Sequence, residues 1–276
     1  MQRYYTRACN FYFGNQSKIL VNKKKSIPLH QIKEISFDHV EIITRKKIRR
    51  ISINQVKKLP NNLKKKINAD IKKINSKKKN FSNFNFKKIP NILGVLNLTP
   101  DSFSDGGKFY KNEKALKQIF EMVKAGAKII DIGGESTRPG SKNIPENIEW
   151  NRIKKIVKNF KKNNKKICLS IDTRKSKVMK NSIICGADLI NDVSGFSYDK
   201  NSLYEIQKYN IAKVLHHMQG TPNTMQKNPK YKNVLLDIYD FFETGVKKIN
   251  NKKILLDPGI GFGKNLKHNL TLISKI

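Results

Sequence analysis

At 276 residues, 38% of them hydrophobic, the chain is long enough to bury a sizeable core and is sized for one α/β domain with an appendage. Its net charge of +36 is nearly all lysine, interspersed with asparagine and isoleucine rather than with arginine and aromatics, which fits A+T-biased coding, so a nucleic-acid partner is not expected. Cys9, Cys168 and Cys185 have neither CxxC spacing nor a paired framework, and no apolar run approaches the roughly 20 residues of a membrane span. The N-terminus lacks the apolar core of a secretory signal. Zinc scaffolds, disulfide scaffolds and membrane spans are set aside, no membrane partner is expected, and a cytoplasmic location is.

Residues 1–88 carry 24 Lys+Arg against 4 Asp+Glu, whereas the remainder carries 33 against 17, so the composition shifts near Pro90. The expected organisation is a Lys-rich extension over 1–88, of no assigned role, followed by a catalytic-type α/β domain over 89–276. Within the extension, Val40 to Ile53 reads as a β-hairpin, and Leu63, Ile67, Ile71 and Ile74 mark one face of a helix. The rest of it reads as solvated and loosely packed.

From Ile92 the alternation becomes regular. Strands are expected at Ile92 to Asn97, Lys128 to Gly134, Lys166 to Thr173, Ala187 to Gly195, Ile211 to Met218 and Lys253 to Lys264. Helices are expected between them, at about 112–125, 144–162, 175–185, 198–209 and 234–250, with one more beginning near the end. Near-continuous apolar strands point to a parallel sheet buried on both faces. Every strand end carries polar groups, which favours a closed (β/α)8 barrel with its site at the C-terminal rim over an open sheet with one switch point. Only about six of the eight units are present, because the chain stops at Ile276.

Asn97, Asp131, Asp172, Asn191, Asp192 and Asp257 fall at or near those strand ends. A carboxylate that accepts two N–H bonds suits a guanidine-like edge, such as the 2-aminopyrimidinone of a pterin, and Asn can read the adjoining donor and acceptor edge. Any single one of them could equally cap the next helix. The loops GGESTRPGS and DPGIGFGK, with Arg138 and Lys264, suit anions, because backbone N–H groups can approach a phosphate where no Cβ intervenes. Asn97 and Asp101 offer hard oxygens for Mg2+ held partly by substrate phosphates. His216 and His217 are adjacent and face opposite ways on a strand, so they form no metal pair.

The blocks NLTPDSFSDGG (97–107), GGESTRPGS (133–141), SIDT (170–173), INDVSG (190–195), HMQGTP (217–222) and DPGIGFGKN (257–265) resemble, in order and spacing, those of the dihydropteroate synthase family of pterin-binding barrels. The resemblance covers about Pro90 onward. It implies an enzyme of folate biosynthesis and sulfonamide target, a transferase that joins a dihydropterin methyl diphosphate to 4-aminobenzoate and releases diphosphate. It implies a pterin site of Asp172, Asn191, Val193, Met218, Asp257, Phe262 and Lys264, with Asn97 as the Mg2+ ligand. Thr137, Arg138 and Pro139, with Asp101, Phe103 and Ser104, are implied to order over diphosphate and aminobenzoate, with Asp172, Arg138 and Asp101 central to catalysis. Pairing into a homodimer is also implied. Three departures stand out: His216 where members often have Met, Ile260 where many have Phe, and the absence of the family's strand 7 Ser-Arg-Lys and strand 8 Arg-x-His motifs. Alternative readings are a non-catalytic pterin-binding remnant and a methyltetrahydrofolate-dependent methyltransferase barrel; SFSDGG and STRPG argue against the latter.

Overall fold

The computed structural model describes residues 3–78, 80, 90–99, 108–136, 138, 141–249 and 253–275. The chain divides into two compact units, Met1–Lys79 and Asn80–Ile276.

The first unit is built on one long strand. It runs β1 (Tyr5–Phe13), α1 (Gly14–Asn22), β2 (Ile27–Leu29), β3 (Ile32–Ile43), β4 (Ile48–Ser52), a 3-10 turn (Ile53–Lys58) and α2 (Asn61–Asn75). β3 pairs antiparallel with β1 along one edge, from Tyr5 opposite Ile43 to Phe13 opposite Ile35. Along its other edge it takes first β2 and then β4. The expected hairpin is the β3–β4 pair, closed where Thr44 Oγ1 accepts from the N–H of Lys47 at 3.0 Å. The expected helical stripe lies on α2, with Ile67 fully buried and Leu63, Ile71 and Ile74 packed beside it.

The loosely packed appendage is corrected by a closed core of Phe37, Val40, Ile42, Ile51, Val56, Leu59 and Ile67. Sequence periodicity hides this because α1 seats on β3 through hydroxyls rather than an apolar stripe. Ser17 on α1 donates to Lys33 O at 2.7 Å and accepts from Ser36 Oγ at 2.8 Å, and Ser26, just beyond α1, donates to Ser36 Oγ at 2.8 Å; all three serines are buried. Thr6 donates to Asp70 Oδ2 at 2.6 Å, which ties α2 to β1.

The second unit repeats one motif: β5 (Leu93–Asn97), α3 (Lys108–Lys124), β6 (Ile129–Gly133), α4 (Glu146–Asn163), β7 (Cys168–Asp172), α5 (Ser176–Ile184), β8 (Leu189–Asp192), α6 (Ser202–Gln207), β9 (Ala212–His216), α7 (Val234–Lys248), β10 (Ile254–Asp257) and α8 (Leu266–Lys275). The strands form a parallel sheet in the order β10-β9-β8-β7-β6-β5. Each strand lies beside its predecessor, which is the wall of a (β/α) barrel rather than a doubly wound sheet. The two faces divide the apolar residues. Ile130, Ile132, Leu169, Ile171, Ile190 and Leu215 face the helices, meeting Ile119, Ile153, Val157, Phe160 and Met179. Ile129, Cys168, Leu189, Ala212 and Val214 form the inner layer. On α4, the Ile153, Ile156, Val157 and Phe160 stripe faces the sheet, while Glu146 and Glu149 in the first turn and Lys161 and Lys162 in the last complement the helix dipole. Among the described residues no helix is long and apolar enough to cross a membrane.

Phe37→Ala in the full chain is expected to destabilise the first unit by about 3–5 kcal/mol, the range for truncating a buried Phe. Hydrogen exchange checks this: protection of the β1 and β3 amides should fall, and unchanged protection there would contradict the closed core.

Candidate active site

Parallel pairing sets the site, because residues in register on neighbouring strands point to the same face of a sheet. Asn97 pairs with Gly133, Gly133 with Asp172, and Asp172 with Asn191. One level of the inner face therefore carries Asn97, Asp172 and Asn191, and Gly133 leaves the gap between the first two. Asn97 Oδ1 and Asp172 Oδ2 flank that gap, 3.4 and 3.5 Å from where a Cβ on Gly133 would sit. The level beneath it holds Asp131 and Ser170, also in register. His216 and Asp257 pair above, on β9 and β10.

The acids of this row are buried with few partners. Asn191 Nδ2 donates to Asp131 Oδ2 at 2.9 Å, which orients the amide and leaves its oxygen unpaired. Asp131 Oδ1, Asp172 Oδ1 and Asn191 Oδ1 are all buried without a hydrogen-bond partner. Burial, above all, holds the Asp172 carboxyl well above its ordinary value of 3.8, and the nearby Asp131, Glu149 and Asp192 push in the same direction against Arg174. Burial likewise raises Asp131, with the Ser170 hydroxyl and the Asn191 amide opposing and the Asp257 charge adding to it. Asp192 is the structural member of the set. Its Oδ1 accepts from Ser194 N at 2.7 Å and Ser194 Oγ at 2.6 Å, and burial lifts its pKa to about 6.

The far wall is apolar and aromatic. His216 Nδ1 lies 2.9 Å from Val193 O, an acceptor only, so Nδ1 carries the proton and the neutral ring turns Nε2 toward Asp257 Oδ2, 3.9 Å away. Burial lowers the His216 pKa, with Lys264 adding to the effect and Asp257 opposing it. The Phe262 ring meets His216 edge-on at 4.7 Å between centroids. Val193 is buried and Met218 half-buried at the same rim.

The loop after β10 is held close enough that only glycine serves at two points. A Cβ on Gly259, at φ +66°, would lie 2.0 Å from His217 O, and one on Gly263, at φ +65°, would lie 2.6 Å from Gln219 O. Asp257 Oδ1 accepts from Gly259 N at 2.8 Å, leaving the other oxygen to the pocket. Lys264 is expected from sequence to meet the pterin, but its ammonium donates to Phe262 O at 2.8 Å, His217 Nδ1 at 3.1 Å and His217 O at 3.3 Å. With three donors in all, it staples the loop to β9 and supports Phe262 from behind. Burial lowers its pKa to about 8 and that of His217 to about 4, the latter helped by Lys264 and His216.

Arg138 is exposed on the loop after β6, with its backbone oxygen accepting from Ser141 N at 3.1 Å. Asp101, Phe103, Ser104, Thr137 and Pro139 lie outside the described residues. Sequence reasoning passed over a buried ionic cluster beside this loop, formed by Glu135, Arg174, Lys175 and Glu149. The signal was present as adjacent cations immediately after a strand end, but charges there read as solvated until burial is known.

This chain matches the family of pterin binding enzymes over residues 93–276. The dihydropteroate synthase of Haemophilus influenzae is 41% identical over 197 residues, which cover 68% of this chain and 70% of that protein. The Yersinia pestis dihydropteroate synthase, solved with a sulfonamide drug complex, aligns with a TM-score of 0.62 and 42% identity over 67% of this chain and 68% of its own. The Clostridium difficile enzyme, solved in the presence of pteroic acid, aligns with a TM-score of 0.63 and 37% identity over 69% of this chain and 72% of its own. With the barrel wall and the acid row in the same order as the sequence blocks, the chain belongs to the pterin binding enzyme family, among its dihydropteroate synthases.

Proposed function

We infer that the second unit acts as a dihydropteroate synthase, a transferase of folate biosynthesis joining a 7,8-dihydropterin-6-ylmethyl diphosphate to 4-aminobenzoate with release of diphosphate. The observation that carries this reading is the set of unpaired buried acceptors on adjacent strands, Asp131 Oδ1, Asp172 Oδ1 and Asn191 Oδ1. Buried acceptors without partners are costly, so their natural complement is a flat ligand edge rich in N–H donors. The 2-amino group and ring N–H of a pterin supply it. Val193, Met218, Phe262 and His216 are proposed as the walls against its faces, with Asp257 closing the edge on β10.

In the reaction the bond between the pterin methylene carbon and the diphosphate oxygen breaks, and its electron pair leaves with the oxygen. The amino nitrogen of 4-aminobenzoate forms the new bond to that carbon and loses a proton. Asp172 is proposed to accept from the pterin edge in its ionised form and to stabilise positive charge as it develops on the ring system. Arg138, with Thr137 and Pro139 on its loop and Asp101, Phe103 and Ser104 on the loop after β5, is proposed to act on the diphosphate and the aminobenzoate.

Mg2+ belongs to the same proposal. Among the described residues no group of three or more His, Cys, Asp or Glu gathers to hold a metal. What the rim offers is the single hard oxygen of Asn97 beside Asp172, which fits an ion bound largely through substrate phosphate oxygens. Bound there, the ion would offset charge on the departing diphosphate. The proposal extends to a cytoplasmic location and to a homodimer, the latter resting on the family resemblance.

Mixing the purified chain with the pterin diphosphate, 4-aminobenzoate and Mg2+ should release diphosphate; no release, together with no binding of a pterin analogue, would overturn the reading. Asp172→Asn should abolish turnover while raising the stability of the ligand-free protein at alkaline pH relative to acidic pH, because a raised folded pKa makes ionising Asp172 cost stability and Asn does not ionise. The contribution of Asp172 to stability is thus greatest below its unfolded value of 3.8 and declines as pH rises toward its folded value. Denaturation midpoints across pH check it: a difference between Asp172→Asn and wild type that fails to rise from acidic to alkaline pH would contradict the assignment. Pterin affinity should fall on acidification by up to about tenfold per pH unit below the Asp172 pKa, since protonation competes with the ligand for the carboxylate. Asp257→Ala should weaken pterin binding at least about tenfold, the loss of one hydrogen bond to a charged group; titration with the analogue reads it, and unchanged affinity would remove Asp257 from the site.

A further inference from the structure

The catalytic reading leaves unused a buried ionic cluster of the second unit. Glu135 follows β6, Arg174 and Lys175 follow β7, and Glu149 lies in the first turn of α4. Glu135 Oε2 accepts from Arg174 Nη2 at 2.6 Å, and Glu135 Oε1 lies 2.9 Å from Lys175 Nζ. Lys175 also donates to Glu149 Oε2 at 2.5 Å. None of the four side chains is more than 8% exposed. Two positive and two negative charges therefore balance out of contact with water, which is the condition under which buried ions are tolerated.

The cluster has directional features that charge balance does not require. Glu135 Oε1 also accepts from the backbone N–H of Ile144, nine residues further on, at 3.0 Å. Arg174 reaches the same stretch from the other side, donating to Asn143 Oδ1 at 3.1 Å while its guanidinium lies 4.2 Å over the Tyr198 ring. Arg152 Nη1 donates to Gly134 O at 2.8 Å. Both ends of the loop that carries Arg138 are thus drawn onto one carboxylate, and that carboxylate is bonded to residues two and three positions beyond Asp172.

We propose that Glu135 is a positioning residue: its carboxylate closes the base of the Arg138 loop and fixes that base to the end of β7, so that Arg138 and Asp172 are held in one frame. Its catalytic consequence rests on the dihydropteroate synthase reading. Glu135 touches no reacting atom. Replacing it with Gln keeps the size of the side chain and removes the charge that Arg174, Lys175 and the Ile144 N–H share.

The test uses the full chain with Glu135→Gln and the milder Asn143→Ala, whose side chain is exposed and carries no charge. Hydrogen exchange across residues 136–144 should accelerate at least about tenfold in Glu135→Gln while amides of α4 and β7 stay within about threefold of wild type, the signature of local rather than global opening. In the same variant kcat should fall at least about tenfold at near-constant affinity for a pterin analogue. Should Glu135→Gln fail to fold, Asn143→Ala decides by the same exchange measurement, with acceleration of at least about threefold expected in the loop alone. Unchanged loop exchange, or acceleration shared equally by α4 and β7, would overturn the proposal, as would parallel losses of kcat and pterin affinity. If the wild-type chain releases no diphosphate, the activity reading fails on its own, and the exchange measurement still judges Glu135.

Discussion

The site depends on the unbroken register of parallel strands. Because Asn97, Gly133, Asp172 and Asn191 pair at one level, their side-chain directions are settled by the backbone ladder before any side chain makes a contact. A slip of one residue in any strand would turn its member of the row into the helix layer. The helix-facing residues Ile130, Ile132, Leu169, Ile171 and Ile190 prevent that slip, since the same movement would carry them from the apolar layer into the polar interior. Hydrophobic packing on one face thus enforces placement of acids on the other.

The molecule treats its buried carboxylates in two opposite ways. Glu135 is enclosed, and burial alone would raise its pKa, yet Arg174, the Ile144 N–H and Lys175 hold it below its ordinary value. Asp172 lies one strand away, lacks such partners on Oδ1, and is pushed up. Burial raises both, and only at Glu135 do hydrogen-bonded cations and a backbone N–H outweigh it. One carboxylate is a finished structural bond; the other keeps an unpartnered oxygen, at a cost in stability that the surrounding packing offsets, as the proposed ligand site requires.

Most of the second unit was legible in the sequence because strand runs, glycine stops and helical stripes recur at regular spacing. All six strands and their order follow from that pattern. The ends were overestimated where loop residues continue the apolar character: the last expected strand ran to Lys264, whereas β10 stops at Asp257 and the glycines beyond it turn the chain back onto β9. The acids of the rim were legible as a group, but not the division within it: Asp172 is in register with Asn191 on the inner face, whereas Asp192 is in register with the helix-facing Leu215 and accepts from Ser194. The intramolecular partners of Lys264 were hidden for a related reason. A lysine in a glycine-rich loop suggests an anion, and only the fold brings the carbonyls of Phe262 and His217 to its ammonium. In the first unit, α1 lacked an apolar stripe because its contact with β3 is made by serine hydroxyls, which carry no periodic signal.

The electrostatics of the row also dictate how a substrate with a cationic or donor-rich end and an anionic end must enter. The centre of the row carries the unpaired oxygens of Asp131, Asp172 and Asn191. A diphosphate there would oppose ionisation of two carboxyls whose pKa burial already raises, in a poorly solvated space. Donors and neutral amide lie toward β5 and β6, at Asn97 and on the exposed loop of Arg138, while the aromatic pair of His216 and Phe262 lies on the opposite side, toward β9 and β10. On the proposed reading, a flat ring that settles its donor edge on the acids directs its anionic tail toward β5 and β6. Orientation would then be imposed by what the centre of the site rejects as much as by what it binds, and the breaking bond would lie toward the Arg138 loop whose base Glu135 is proposed to close.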